Sequence, residues 1–299
     1  MQISDWSVLL LALKLASYLA ILALAGTLVI RVISSYEVDE TNLTYFNRYL
    51  KRWQIICVAI GFIAAILQIP IEAGAMAESG LSGMIDPFML EIVWQSVIGE
   101  QALFRVLVFI VVMIAVCTWQ PVSKTINYIN FAFMLLMLIL LTYSFTFTGH
   151  SSDKSILIKG ILTLHLVAIA SWAGSLWPLY KSCKLLPITE VKTVMGYFGQ
   201  LAIAIVFVLL TSGMLLILQY LNSFNEILTT NYGQLILLKL LFVSAMLLLG
   251  AWHKFFLVPK LKRQHHVDVL KRSISVEILV ACFVLITTSV FTTLVGPTY

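Results

Sequence analysis

Apolar and polar positions follow one another along the chain in long blocks, and each apolar block is close to the length that crosses a lipid bilayer. About 20 residues of α-helix, at 1.5 Å per residue, span a hydrocarbon core of about 30 Å. Hydrophobic residues make up 61% of the 299 positions and charged residues only 11%, so little sequence is left for a soluble domain. The pattern predicts an all-α integral membrane protein with eight transmembrane helices, at residues 8–33, 53–77, 101–120, 126–147, 156–180, 196–221, 233–255 and 273–296.

The connections between the blocks differ in charge. Most Lys and Arg residues follow the first, third, fifth and seventh blocks, as Arg52, Lys184 and Lys262 do. Since basic connections stay on the cytoplasmic side of a membrane, we expect both termini on the outer side. The net charge of +5 is then explained by connections that face anionic lipid headgroups. The lipid bilayer is therefore an expected partner, and nucleic acid is not.

Two short motifs occur twice at similar depth. Residues 25–28 (Ala-Gly-Thr-Leu) in the first block resemble residues 173–176 (Ala-Gly-Ser-Leu) in the fifth. A glycine followed six residues later by a basic residue opens the third block at residues 99–105 and the seventh at residues 233–239. Coincidence between leucine-rich helices is the alternative, but the ordered match predicts two parallel four-helix repeats with a site at their interface.

We place the boundary of these halves after residue 147, which gives an N-terminal half at 1–147 and a C-terminal half at 148–299. Within the first half, residues 80–98 are too acidic to cross a membrane but include Phe88 and Trp94. An apolar face on such a short segment is typical of a helix that lies along the membrane surface. We predict an interfacial segment there.

Two histidines are the leading candidates for chemistry. His165 lies about ten residues into the fifth block, roughly 15 Å below the outer surface, and shares a helical face with Trp172. An imidazole at that depth is costly without a partner or a function, so it binds a metal ion, ligates haem, relays protons or hydrogen-bonds a neighbouring helix. His150 ends the fourth block at the outer side, as either a solvated residue or a second metal ligand.

Four methionines are candidate metal ligands on the same side. Met76, Met84 and Met89 lie in or beside the outer connection between the second and third blocks, and Met214 lies in the outer half of the sixth. Methionine usually fills space in an apolar core. Thioether and imidazole together, however, are the ligands that select Cu(I) over hard cations. Copper, as Cu(I) rather than Cu(II), is the ion that this set favours.

Other polar residues in the apolar blocks have ordinary structural interpretations. Lys14, Arg105 and Lys239 either extend to the headgroups or pair with acidic residues such as Glu72. For Glu277 we expect a basic partner from its own block, Lys271 or Arg272. The cysteines on the inner side, which could form an exit site for a soft metal but more often act as small apolar residues, are Cys57, Cys117 and Cys183.

The second half also contains an ordered series of motifs: Gly149-His150, residues 164–176 with His165 and Trp172, residues 232–240, residues 257–261 and residues 270–277. Together, over positions 146–297, they resemble the bacterial copper resistance protein D family of inner-membrane proteins, while the first half matches only in its number of spans. The resemblance implies an eight-span fold, copper movement across the inner membrane, and often a periplasmic copper-binding partner. In a bacterial inner membrane, the outer location that the charges predict for both termini is the periplasm. It also implies that His150 and His165 occupy the positions of that family's histidines.

Three hypotheses follow. The first is a copper permease, not an enzyme, in which the outer methionines and His150 take up the ion, His165 receives it and release is inward. Uptake is favoured because the soft ligands lie on the outer half. The second is a haem-binding electron-transfer protein or oxidoreductase, which needs two imidazoles at similar depth on facing helices. The third is a structural subunit or copper-delivery partner of another membrane protein.

Overall fold

The computed structural model describes residues 5–119, 128–149, 152–220 and 231–294, and in these ranges the chain consists of helices and short connections, with no strand. Eight of the helices are long and apolar enough to cross a membrane, which confirms the predicted fold class. Two 3-10 turns, Gly80–Ile85 and Ser144–Thr146, and a π-helical segment, His253–Leu257, join them. The α-helices are α1 Asp5–Glu37, α2 Glu40–Ala77, α3 Pro87–Trp94, α4 Val97–Thr118, α5 Tyr128–Tyr143, α6 Ile156–Leu185, α7 Ile188–Tyr220, α8 Asn231–Trp252 and α9 Gln264–Leu294.

Several helices extend well beyond the apolar blocks that predicted them. The helix α2 has 38 residues and α1 has 33, so at 1.5 Å per residue each is about 50 Å long or more. Only Val38 and Asp39 separate the two helices, and the Asp39 side chain accepts a hydrogen bond from the Thr41 backbone N–H at 3.3 Å. Hydropathy marks the part of a helix that suits lipid, whereas the backbone hydrogen bonds continue into its polar ends.

The segment predicted to lie at the membrane surface is folded as a 3-10 turn followed by α3. The Asp86 carboxylate begins α3 by accepting from the backbone N–H groups of Phe88 and Met89, at 2.9 and 3.2 Å. The Ser96 hydroxyl then accepts from Ile98 N–H at 3.1 Å and begins α4. Phe88 is 67% exposed. An exposed apolar face on a short capped helix suits a membrane surface, so the interfacial location stays our prediction.

The helices α1 and α6 cross in contact at the centre of the molecule, and the crossing point is formed by two glycines. A Cβ atom added to Gly26 would lie 1.9 Å from the Gly174 carbonyl oxygen, and one added to Gly174 would lie 2.1 Å from the Leu22 carbonyl oxygen. Small residues allow such backbone approach in membrane helices. The two Ala-Gly motifs that suggested a repeat are therefore in contact with each other, although the repeat itself remains a prediction.

Two apolar cores lie on either side of this crossing. One is built by α1, α2, α4 and α5 around residues such as Leu24 and Phe109. The other is built by α6 to α9 around Trp172 and Leu270, and it also takes in the Ile30 end of α1 and the first turns of α2. The second core contains the candidate site.

Candidate functional site

His165 is the tenth residue of α6 and contacts α7. Its Nδ1 atom lies 3.0 Å from the Ser212 hydroxyl oxygen. The next residue of α7, Gly213, leaves room for the ring, because a Cβ there would lie 3.1 Å from the His165 Cε1 atom. One turn of α7 therefore supplies both a hydrogen-bond partner and a space for the imidazole.

The hydrogen bonds of Ser212 determine which ring nitrogen of His165 carries the proton. The Ser212 hydroxyl donates to the Val208 carbonyl oxygen at 2.6 Å, and a hydroxyl has a single proton to donate. Its oxygen must then accept from His165, which places the imidazole proton on Nδ1. In the neutral imidazole the lone pair is then on Nε2, to which no side chain in the described ranges bonds.

This arrangement is the one that metal-binding histidines use. A ligating imidazole typically donates its second ring N–H to a neighbouring oxygen, which fixes the tautomer and the ring orientation. Here α7 provides that oxygen and α6 provides the ring. Chemically, His165 is ready to act as a neutral nitrogen donor within the membrane.

The other predicted ligands are not gathered around His165 by the contacts that the structure gives. Met84 packs against α2, where its Cγ atom would lie 2.9 Å from a Cβ on Gly74. Met76 and Met214 are 53% and 54% exposed, and Met89 is half-buried. His150 lies outside the described residues. Among the described residues, no group of three or more His, Cys, Asp or Glu side chains is arranged to hold a metal ion.

A second polar cluster lies deeper in the same core, and the sequence did not predict it. The Nδ1 atom of His253 lies 3.1 Å from the Glu277 Oε2 atom, and its Nε2 atom lies 2.7 Å from the Ser273 hydroxyl. The side chains of His253 and Glu277 are 13% and 2% exposed. The expected pairing of Glu277 with Lys271 is wrong, because Lys271 pairs with Asp268 one turn away at 2.8 Å.

A change in helix geometry places His253 in this cluster. At His253 the α-helix α8 passes into a π-helical segment, in which Val258 N–H donates to the His253 carbonyl at 2.9 Å. The next residue, Lys254, reaches across to α7 and donates to the Gly199 carbonyl at 2.8 Å. Single π turns of this kind are rare and frequently occur at functional sites.

The first half contains a buried cation of its own. Arg105 is 7% exposed, donates to the Ser144 hydroxyl at 2.9 Å and to the Gln68 side-chain oxygen at 3.3 Å, and lies 4.3 Å from the centroid of the Phe145 ring. The expectation that it extends to the headgroups or pairs with Glu72 is wrong. Hydrogen bonds to neutral groups of α2 and of the 3-10 turn after α5 hold this guanidinium within the protein.

The inner cysteines are dispersed. Cys57 and Cys183 are buried and Cys117 is exposed, and all are free thiols. Cys57 lies at 0% exposure on α2, whereas Cys183 belongs to the core of the second half.

Sequence reasoning missed Ser212, Gly213 and the partners of Glu277. One pattern that could have indicated the first two is the polar interruption Thr211-Ser212-Gly213 in an otherwise apolar block. The contact of His253 with α9 has no comparable pattern, because the π-helical segment sets its direction.

Comparison with known proteins places this architecture in a family. Residues 3–156 match the family described as copper resistance protein D-like, N-terminal domain, and residues 192–291 match copper resistance protein D. The first half therefore shares more with that family than a number of spans, which corrects the expectation from the sequence motifs.

Two curated relatives were found. The chain is 28% identical over 245 residues to the copper transport protein CutJ of Bacillus subtilis, over 79% of this chain and 44% of that protein. It is 25% identical over 230 residues to the inner membrane protein YebZ of Escherichia coli, over 73% of this chain and 74% of that protein. The match thus spans less than half the length of CutJ. No solved structure matches significantly. The chain belongs to the copper resistance protein D family.

Proposed function

We propose that this protein carries copper across the bacterial inner membrane from the periplasm towards the cytoplasm, as a permease rather than an enzyme, with His165 as a copper ligand. The observation that carries the proposal is the bond of 3.0 Å between His165 Nδ1 and Ser212. It leaves Nε2 as an uncharged donor inside the membrane. The name of the relative CutJ, a copper transport protein, supports copper as the ion, and the name of YebZ supports the inner membrane.

The orientation that we propose rests on the distribution of charge. Basic residues concentrate in the connections at one end of the bundle, near Arg48, Lys184 and Lys262, and such connections remain cytoplasmic. His165 is then in the outer half of its helix, and both termini are periplasmic. The outer connection contains Glu78, Asp86 and further carboxylates, which would raise the local concentration of cations near the entrance.

We propose Cu(I) as the transported form and a periplasmic copper-binding protein as its donor. His150, Met76, Met84 and Met89 are the proposed ligands between that donor and His165, because imidazole and thioether together favour the soft ion. Met214, one residue beyond Gly213 on α7, is a further proposed ligand.

The test is copper accumulation in cells that lack the native gene and express either the wild type or the variant His165→Ala. We expect His165→Ala to lower accumulated copper several-fold at equal protein level, because it removes the neutral nitrogen donor. His265→Ala is the matched control: it removes an exposed imidazole and should accumulate copper as the wild type does. Copper accumulation by His165→Ala equal to that of the wild type would contradict the proposal.

The same purified samples test the haem hypothesis. An absorption spectrum with a Soret band that His165→Ala abolishes would favour a haem-binding protein over a permease. Metal analysis that finds copper in the wild type, less copper in His165→Ala and no such band would support transport.

A further inference from the structure

The distribution of ionisable residues along the C-terminal helices is uneven. Residues 166–179 of α6, 198–219 of α7, 240–252 of α8 and 19–30 of α1 contain no Asp, Glu, Lys, Arg, His, Cys or Tyr. Glu277, on α9 at this level, is 1% exposed. Within these helices, Glu277 is the carboxylate that lies far from the helix ends.

Contacts with α6 and α8 fix the depth of Glu277. A Cβ on Gly250 would lie 3.9 Å from the Glu277 Oε1 atom and 3.7 Å from the Trp172 Cζ2 atom. Trp172 and His165 share a face of α6 and are seven residues apart, which corresponds to about 10 Å along the helix axis. Glu277 therefore lies about two helical turns further along the same core than His165.

The carboxylate of Glu277 is only partly satisfied. Its Oε2 atom faces His253 Nδ1 at 3.1 Å, whereas its Oε1 atom is buried and has no hydrogen-bond partner among the residues that the structure describes. A buried carboxylate oxygen without a partner is costly if the group is ionised. The cost falls when the carboxylate and the imidazole together hold an additional proton, or when a cation is nearby.

We propose that the Glu277–His253 pair is a proton-binding station that gives up its proton when a copper ion enters the core, so that copper passes in exchange for a proton. The inference rests on the proposed function. In the empty core the pair holds one additional proton, shared between the Glu277 carboxylate and the His253 imidazole. When Cu⁺ arrives, that proton leaves to solvent and the negative charge of the pair compensates the ion. One positive charge enters and one leaves, so the core does not gain a charge that its low dielectric would penalise.

The residues around the Glu277–His253 pair leave this pair as the group that compensates the charge of a copper ion. The ionisable groups that flank this region along the adjoining helices are His165 and Tyr180 on α6, Tyr197 on α7, Lys239 on α8, Lys254 in the π-helical segment, Lys271, Arg272 and Cys282 on α9, and Tyr18 and Arg31 on α1. Lys271 already pairs with Asp268, and Lys254 bonds to the Gly199 carbonyl. Lys239 is a cation and does not compensate another.

His165 cannot supply the proton in this exchange. The hydrogen bonds of Ser212 place the proton of the neutral imidazole on Nδ1, so an ion that binds to Nε2 of the neutral ring displaces no proton. A proton released with copper binding then comes from another group. Within the described part of the chain the Glu277–His253 pair is the candidate, and Ser273 completes its contacts by lying 2.7 Å from His253 Nε2.

The experiment measures proton release when Cu⁺ is added without oxygen to the full-length protein in nanodiscs, in weak buffer with a pH-indicator dye. Bound copper is counted on the same sample. We expect about one proton per bound copper from the wild type, because ion binding is linked to deprotonation. Glu277→Gln, which has nearly the same shape, should bind copper and release no proton. The control Asp268→Asn, which removes a carboxylate from the exposed pair on the same helix, should release protons as the wild type does.

A second measurement covers the case in which Glu277→Gln does not fold. Exchange of one proton for one ion makes the wild-type copper affinity rise about tenfold per pH unit, and this needs no variant. A flat pH dependence, or a Glu277→Gln that releases protons as the wild type does, would overturn the inference. Copper binding that needs His165 but releases no proton would refute the exchange and leave the proposed function standing. A wild type that binds no copper would refute both.

Discussion

The substitution Ser212→Ala tests whether the oxygen behind His165 prepares the imidazole for copper. It removes the acceptor that lies 3.0 Å from Nδ1 without touching the ring or the Nε2 atom. A neutral hydrogen bond contributes about 1 kcal/mol, and a buried donor left without a partner costs about 1 to 3 kcal/mol. Loss of the partner behind a metal-binding histidine lowers metal affinity by about 10- to 100-fold, which corresponds to about 1.4 to 2.8 kcal/mol at 1.4 kcal/mol per tenfold. We expect a loss of copper affinity in that range.

The assay is competition for Cu(I) between the purified protein and a chromophoric chelator. Thr211→Ala is the matched control, since this neighbouring hydroxyl bonds only to backbone carbonyls of its own helix, at Phe207 and Val208. It should change the affinity less than twofold. An affinity of Ser212→Ala within twofold of the wild type, with His165→Ala strongly impaired, would refute the argument from the tautomer. Equal losses of copper affinity in Ser212→Ala and Thr211→Ala would also refute the argument from the tautomer.

Two further predictions concern glycines. Gly213→Ala places a Cβ 3.1 Å from the His165 ring, so the ring must shift. We expect copper affinity to fall about three- to tenfold, or about 1 kcal/mol, which is the lower end of an overpacking cost. Unchanged copper affinity in the same competition assay would argue against the contact. Gly26→Ala places a Cβ 1.9 Å from the Gly174 carbonyl, and we expect it to lower stability by about 1 to 3 kcal/mol or more, measured by thermal unfolding in detergent. The control is Gly160→Ala, where a Cβ meets nothing within 4 Å, and we expect it to be neutral or slightly stabilising. A melting temperature of Gly26→Ala equal to that of Gly160→Ala would contradict the close crossing.

The sequence identified His165 because the rule that selects it concerns a single residue and its own segment. An imidazole in a transmembrane segment is rare and costly, so His165 could be selected without knowing its neighbours. Its partner could not, since Ser212 is 47 residues away and only the packing of α6 on α7 brings the two together. The partners of Arg105 could not be predicted for the same reason. Gln68 and Ser144 lie in other helical segments, and hydropathy does not predict which segments pack together.

Glu277 shows how a sequence rule can give the wrong partner. The basic residues close to Glu277 in the chain are Lys271 and Arg272. They are six and five positions from Glu277, and side chains at these spacings on a helix point in different directions. The π-helical segment of residues 253–257 turns His253 towards α9 instead. No composition or periodicity predicts that turn.

The sequence by itself determined the membrane class, the number of spans and the histidine to suspect, because burial in lipid imposes length and apolarity on each helix separately. Tertiary structure alone decided which polar groups meet: His165 with Ser212, His253 with Glu277, and Gly26 with Gly174. Such contacts depend on how helices cross and rotate against one another. In an apolar solvent that choice is made by close packing and interhelical hydrogen bonds, which no single helix encodes.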